Sequence, residues 1–211
     1  VLEADEFHRL FGDIEPVPAD RVRIMEDGER ITLGRRELEF LHTRGHANHH
    51  FCIADAASGS VFTGDAFGLI YPALQGTGCF AVPSTSPTDF DGELAREAVR
   101  RIVGLSPERV YPTHFGEVTE VAAAADQLFR HLDFAERVML EAEAADVADG
   151  QLHEYIEPRL RSYFAGLLDA RDDLGADPAT WKLLAMDIDL NAQGLAFVAA
   201  KRRRKAREAQ A

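Results

Sequence analysis

Four of the chain's eight histidines fall within nine residues, in the run His42-Thr43-Arg44-Gly45-His46-Ala47-Asn48-His49-His50. Downstream stand Thr63-Gly64-Asp65 and Tyr111-Pro112-Thr113-His114. Each time, an apolar, strand-like run ends in a side chain able to ligate a metal. Imidazole nitrogen and carboxylate oxygen are the donors of zinc, iron and manganese sites. Three candidate ligands follow from position alone: His46 in a glycine-containing loop after a strand ending at Leu41, Asp65 after a glycine that lets the backbone turn, and His114 after a short strand. A sheet scaffold places its chemistry on such loops. Singly, each residue is ordinary, a hydrogen-bonded imidazole or a turn carboxylate. The set, in this order, points to a metal centre.

The elements that must hold these positions can be read from periodicity. Residues 3–11 form a short amphipathic helix with Phe7, Leu10 and Phe11 on its apolar side, and 13–19, with two prolines, a connector. Alternation at Val22-Arg23-Ile24, Ile31-Thr32-Leu33 and Leu38-Glu39-Phe40-Leu41, with turns at Asp27-Gly28 and Leu33-Gly34, predicts an antiparallel meander. Phe51 to Ala54 and Val61 to Thr63 continue it. Residues 67–87, rich in Gly, Pro, Ser and Thr, read as a long ordered loop with one apolar piece, Cys79 to Val82. A helix from about Asp91, its apolar face running from Leu94 to Val103, stops at Gly104 and Pro107. Val110-Tyr111 is then a strand that delivers His114. Beyond 119 the pattern is helical throughout. One helix runs from Val121 to about Asp149, and a second from Leu152 to Leu168 is kinked or restarted by Pro158. A third opens at Asp177-Pro178, an N-cap followed by proline. The organisation expected is an α/β part over 1–118 and an all-helical part over 119–211.

Bulk properties narrow the partners. A formal net charge of −13 repels phosphate backbones, so nucleic acid is a poor default partner. No apolar stretch reads as a membrane span, and the acidic N-terminus lacks the layout of a signal peptide. Cys52 and Cys79 sit in apolar contexts and read as buried thiols in a reducing cytoplasm.

The motifs resemble those of the metallo-β-lactamase superfamily. His42-Thr43-Arg44-Gly45-His46 is similar to its H-T-P-G-H motif, Thr63-Gly64-Asp65 to its T-G-D motif, and Thr113-His114 to its final histidine. By motif the likeness covers about residues 20–118. A weaker likeness of Asp189-Leu190-Asn191-Ala192-Gln193-Gly194-Leu195 to the end of glyoxalase-II-like hydrolases extends it into the tail. The resemblance implies an α/β fold, the C-terminal portion of an αββα sandwich followed by an all-helical tail. It implies two zinc ions, with iron or manganese as alternatives, His46 completing one position, His114 the other, and Asp65 bridging them. It implies a coordinated hydroxide attacking the carbonyl carbon of a small-molecule thioester, ester or lactone.

The departures carry expectations of their own. Arg44 stands where the motif has proline, and Ala47-Asn48-His49 where T-P-G is commoner. His42 is expected to hold the loop, while His49 and His50 head a strand and point to opposite faces, so at most one faces the site. The superfamily's H-x-H-x-D-H motif, which would supply two ligands to each metal, is nowhere in the chain, and position 1 is Val. A GTG start or a processed chain would explain the valine. With the missing motif, the expectation is an N-terminally incomplete hydrolase, inactive as it stands. The alternative is a degenerate, non-catalytic relative acting in binding or as a homodimer through an uncovered sheet edge and apolar face. Other signals are set aside. Asp187-Ile188-Asp189-Leu190-Asn191 opens like a calcium loop but has Ala192 and Val198 where Gly and Glu belong. Lys201 to Lys205 reads as a solvated helix end, His8, His131 and His153 as solvated or capping, and Phe67, Tyr71 and Tyr111 as core.

Overall fold

The computed structural model describes residues 4–76, 78–85, 89–114, 116–171 and 174–209. In chain order the elements are α1 (Ala4–Phe11), β1 (Arg30–Leu33), β2 (Arg36–His42), β3 (Phe51–Asp55), β4 (Ser60–Gly64), α2 (Gly92–Gly104), β5 (Arg109–Pro112), α3 (Val121–Ala144), α4 (Leu152–Asp169) and α5 (Pro178–Ala209). Strands β1 to β4 pair antiparallel with their neighbours in sequence order. β5 lies parallel to β4 after the α2 crossover.

Alternation along the strands gives the sheet two unlike faces. On one face Cys52, Val61 and Val110 are buried against Val99 and Ile102 of α2 and Val121, Ala124 and Leu128 of α3. On the other, Phe40, Ile53, Phe62 and Tyr111 are successive cross-strand partners. Phe62 and Tyr111 stack with ring centroids 5.3 Å apart, yet Phe62 and Phe51 each remain 45% exposed. A second core lies among α3, α4 and α5, built from Leu132, Met139, Ile156, Phe164, Ile188 and Leu195. It is tied to the sheet half through the segment before α2. Asn191 of α5 accepts the Thr85 N–H at 2.7 Å and donates to the Pro83 carbonyl at 3.0 Å.

Several local expectations change. Val22-Arg23-Ile24 is not a strand: Ile24 is 85% exposed, and β2 is met there by the turn instead, the Gly28 N–H donating to the Phe40 carbonyl. The helix after 119 stops at Ala144 because the Arg203 guanidinium takes the carbonyls of Ala142, Glu143, Ala145 and Val147 at 2.6 to 2.9 Å. Arg203 is thus a cap for α3 and not part of a merely solvated basic end. Pro158 lies inside a single helix, where the Arg159 guanidinium donates to the Tyr155 carbonyl at 2.6 Å and lies 3.5 Å from the Tyr155 ring centroid. His131 is buried, at 4% exposure, and His153 pairs with Asp189 at 2.8 Å, so neither is simply solvated. Asp187, Asp189 and Asn191 all lie within α5, which leaves no calcium loop. One helix, α5, has an 18-residue window of mean hydropathy 1.3, enough in length and composition to cross a membrane; half of that window is buried in the helical core. Of the long-loop expectation, positions 77 and 86–87 lie outside the described residues, as does position 3 of the first helix.

Candidate metal centre

The loop between β2 and β3 is shaped by its own backbone and by α2. The Thr43 N–H donates to the His50 carbonyl, and the His50 N–H to that of Ala47. Gly45 has φ +121°, and a Cβ there would come within 2.2 Å of the Ala95 nitrogen. Only glycine lets the loop lie this close to the first turn of α2, where the Asp91 N–H donates to the Gly45 carbonyl at 2.9 Å.

The next residue is thereby fixed. His46 Nδ1 lies 3.4 Å from the Ser84 carbonyl, which can only accept, so Nδ1 carries the proton. Nε2, the nitrogen left for a metal, faces Asp65 Oδ2 at 3.6 Å. Asp65 follows Gly64, whose φ of +52° turns the chain out of β4. Its other oxygen, Oδ1, faces His114 Nε2 at 3.3 Å. The Thr113 N–H donates to the Gly64 carbonyl and ties the end of β5 to the end of β4.

All three sequence candidates therefore meet at one carboxylate, with a different imidazole at each of its oxygens. Among the described residues, no group of three or more His, Cys, Asp or Glu side chains closes around a single point. The donor types, imidazole nitrogen and carboxylate oxygen, are those of metal sites. On the helix side His46 and Asp65 line a cavity of about 10 Å³ with Ser84, Ala95 and Leu128. That is room for a water-sized group and no more.

His50, a strand residue by its sequence, also belongs to the site. Its Nε2 accepts the Asp65 N–H at 3.0 Å, and its Nδ1 lies 2.9 Å from Thr43 Oγ1. Burial, followed by the neighbouring His46, lowers its pKa and keeps the ring neutral near pH 7. Cys52 Sγ lies 3.1 Å from the same Thr43 hydroxyl, and burial raises that thiol to about 12. His42 sits apart: its ring meets the Met25 carbonyl at 3.0 Å, and its own carbonyl accepts from Arg101.

The helical tail is tied to the segment that follows Asp65. Tyr71 donates its hydroxyl to Asp187 Oδ2 of α5 at 2.7 Å. Burial pushes the Asp187 carboxyl up, while the Tyr71 hydrogen bond and then the His114 charge pull it down. The calcium-like opening at Asp187 is the only trace of this residue in the sequence.

The family model of the metallo-beta-lactamase superfamily matches residues 2–114. A metallo-beta-lactamase fold-containing protein of Sulfurisphaera tokodaii is 25% identical over 157 residues, 74% of this chain and 56% of that protein. The human acyl-coenzyme A thioesterase MBLAC2 is 33% identical over 109 residues, 51% of this chain and 34% of that protein. A metallo-beta-lactamase family protein of Thermus thermophilus superposes with a TM-score of 0.54 at 18% identity, over 98% of this chain and 56% of that one. The chain thus spans little more than half the length of these relatives at most. The match runs through the loops that converge on Asp65 and covers more than half of the residues, so the chain belongs to the metallo-beta-lactamase superfamily.

Proposed function

We propose that this chain carries part of the binuclear centre of a metal-dependent hydrolase acting on a thioester, ester or lactone, with a thioester the first substrate class to try. The observation that carries the reading is the Asp65 carboxylate, which presents Oδ2 to His46 and Oδ1 to His114. His46 would hold one ion, His114 the other, and Asp65 both. Bound zinc supplies Lewis acidity toward a carbonyl oxygen and lowers the pKa of water. The protein's own part is to keep His46 in the Nδ1–H form through Ser84 and to aim both oxygens of Asp65. The thioester preference is supported by the likeness to the human acyl-coenzyme A thioesterase. Three donors are fewer than two tetrahedral ions require, so full activity needs further donors.

Metal content tests the reading. After zinc loading and desalting, Asp65→Ala should retain less zinc than His46→Ala or His114→Ala, because it serves both positions. Equal zinc in all three variants and the parent chain would refute it. The 211-residue chain by itself should cleave no thioester above background. Zinc-dependent turnover that disappears with Asp65→Ala would show that these donors suffice.

A second reading, a non-catalytic binding or oligomerisation module, is favoured by the exposed Phe51 and Phe62 on the open face of the sheet. It is distinguished by zinc content that is unaffected by all three substitutions.

A further inference from the structure

We infer that His50 is a positioning residue for Asp65, a role that rests on the metal-centre reading above. The polar contacts around it have one consistent direction. An amide N–H can only donate, so His50 Nε2 is bare and Nδ1 carries the proton. Nδ1–H then donates to Thr43 Oγ1 at 2.9 Å. At the far end the Cys52 thiol donates to the Thr63 carbonyl at 3.3 Å, so the Thr43 hydroxyl donates to Cys52 Sγ. Each group gives one hydrogen, and the chain closes on backbone. It joins the loop that holds His46, strand β3, and the end of β4 that holds Asp65.

Two further features single out the imidazole. Thr43, Cys52 and Thr63 are all buried to 1% exposure or less, so water does not substitute for a broken link. A Cβ on Gly64 would lie 2.5 Å from His50 Nε2. The ring reaches the Asp65 N–H only because the preceding residue has no side chain. The glycine of Thr63-Gly64-Asp65 therefore makes room for His50 as well as turning the chain. With Nε2 engaged by an amide, His50 is not a further metal donor, although its ring centroid lies 5.7 Å from that of His46. What it fixes is the backbone orientation of Asp65, and through it the direction of both carboxylate oxygens.

The test uses the ¹⁵N-labelled 211-residue chain with zinc as the probe. Imidazole ¹⁵N spectra without metal should show His50 as the Nδ1–H tautomer and a slowly exchanging Asp65 amide. His50→Leu should speed that exchange and weaken zinc binding by about 10- to 100-fold, the usual effect of losing an outer-shell partner. His50→Gln, which keeps an acceptor in reach of the amide, should restore most of both. Parent-like zinc affinity in His50→Leu, with Asp65→Ala impaired, overturns the positioning role and leaves the metal centre standing. Parent-like affinity in Asp65→Ala overturns the centre and this role with it. Should His50→Leu fail to fold, the tautomer decides: an Nε2–H ring overturns the inference.

Discussion

Gly45 and Gly34 both have positive φ, but their surroundings make very different demands on a side chain. Nothing lies within 4 Å of a Cβ at Gly34, whereas one at Gly45 meets the backbone of Leu94 and Ala95. Gly34→Ala should therefore lose only about 1 kcal/mol, the strain of a left-handed alanine. Gly45→Ala should lose ~2 kcal/mol or more and also displace His46. Urea unfolding of the two variants checks the difference, and equal losses would show that the loop does not rest on α2. That His46, Asp65 and His114 come together was legible in the sequence because each follows an apolar run and the three occur in order. His50 was not, because its partners are an amide, a hydroxyl and a thiol, and no spacing rule encodes such a set. Alternation along a strand assigned it to one of two faces without saying which neighbours waited there.

At the scale of elements, the contact between α3 and α4 has its own acid sensitivity. His131 Nδ1 lies 2.7 Å from the Tyr163 hydroxyl, and His131 Nε2 is buried with no hydrogen-bond partner among the described residues. Burial lowers the imidazole from 6.5 to about 4, with Arg130 adding to the effect. The folded state thus holds it neutral while the unfolded chain binds a proton at about 6.5. Its contribution is complete above pH 6.5 and is lost as pH falls through 6.5 toward 4, on the order of 3 kcal/mol in all. His131→Leu should flatten the stability curve across that window, measured by urea midpoints at a series of pH values. An unchanged slope would place the acid sensitivity elsewhere. Element boundaries were readable where side chains cap them locally. Asp177 accepts the Ala179 N–H at 2.9 Å and starts α5 where the sequence placed it. The end of α3 was not readable, since its cap, Arg203, is supplied from 58 residues further along.

Over the whole molecule, the sheet has one finished face and one unfinished. Phe51 of β3 and Phe62 of β4 are each 45% exposed on the open face of the sheet, a surface of the kind that drives association. The 211-residue chain is expected to self-associate, and Phe51→Lys with Phe62→Lys to leave it monomeric in sedimentation velocity. A monomeric parent chain would refute this. The order of β1 to β4 followed from the meander, so it was legible; the docking of the tail on the segment before α2 was not, because it rests on Asn191 reaching backbone groups more than a hundred residues away. That docking has a thermodynamic consequence. Ser84 holds His46, and the residues on either side of it, Pro83 and Thr85, hold Asn191. One short segment thus answers to the loop that carries His46 on one side and to α5 on the other. By reciprocity, whatever an ion gains from an ordered segment, the tail gains from the ion. Zinc should slow proteolysis of α5, and loosening Asn191 should weaken zinc binding, although the asparagine touches no ligand.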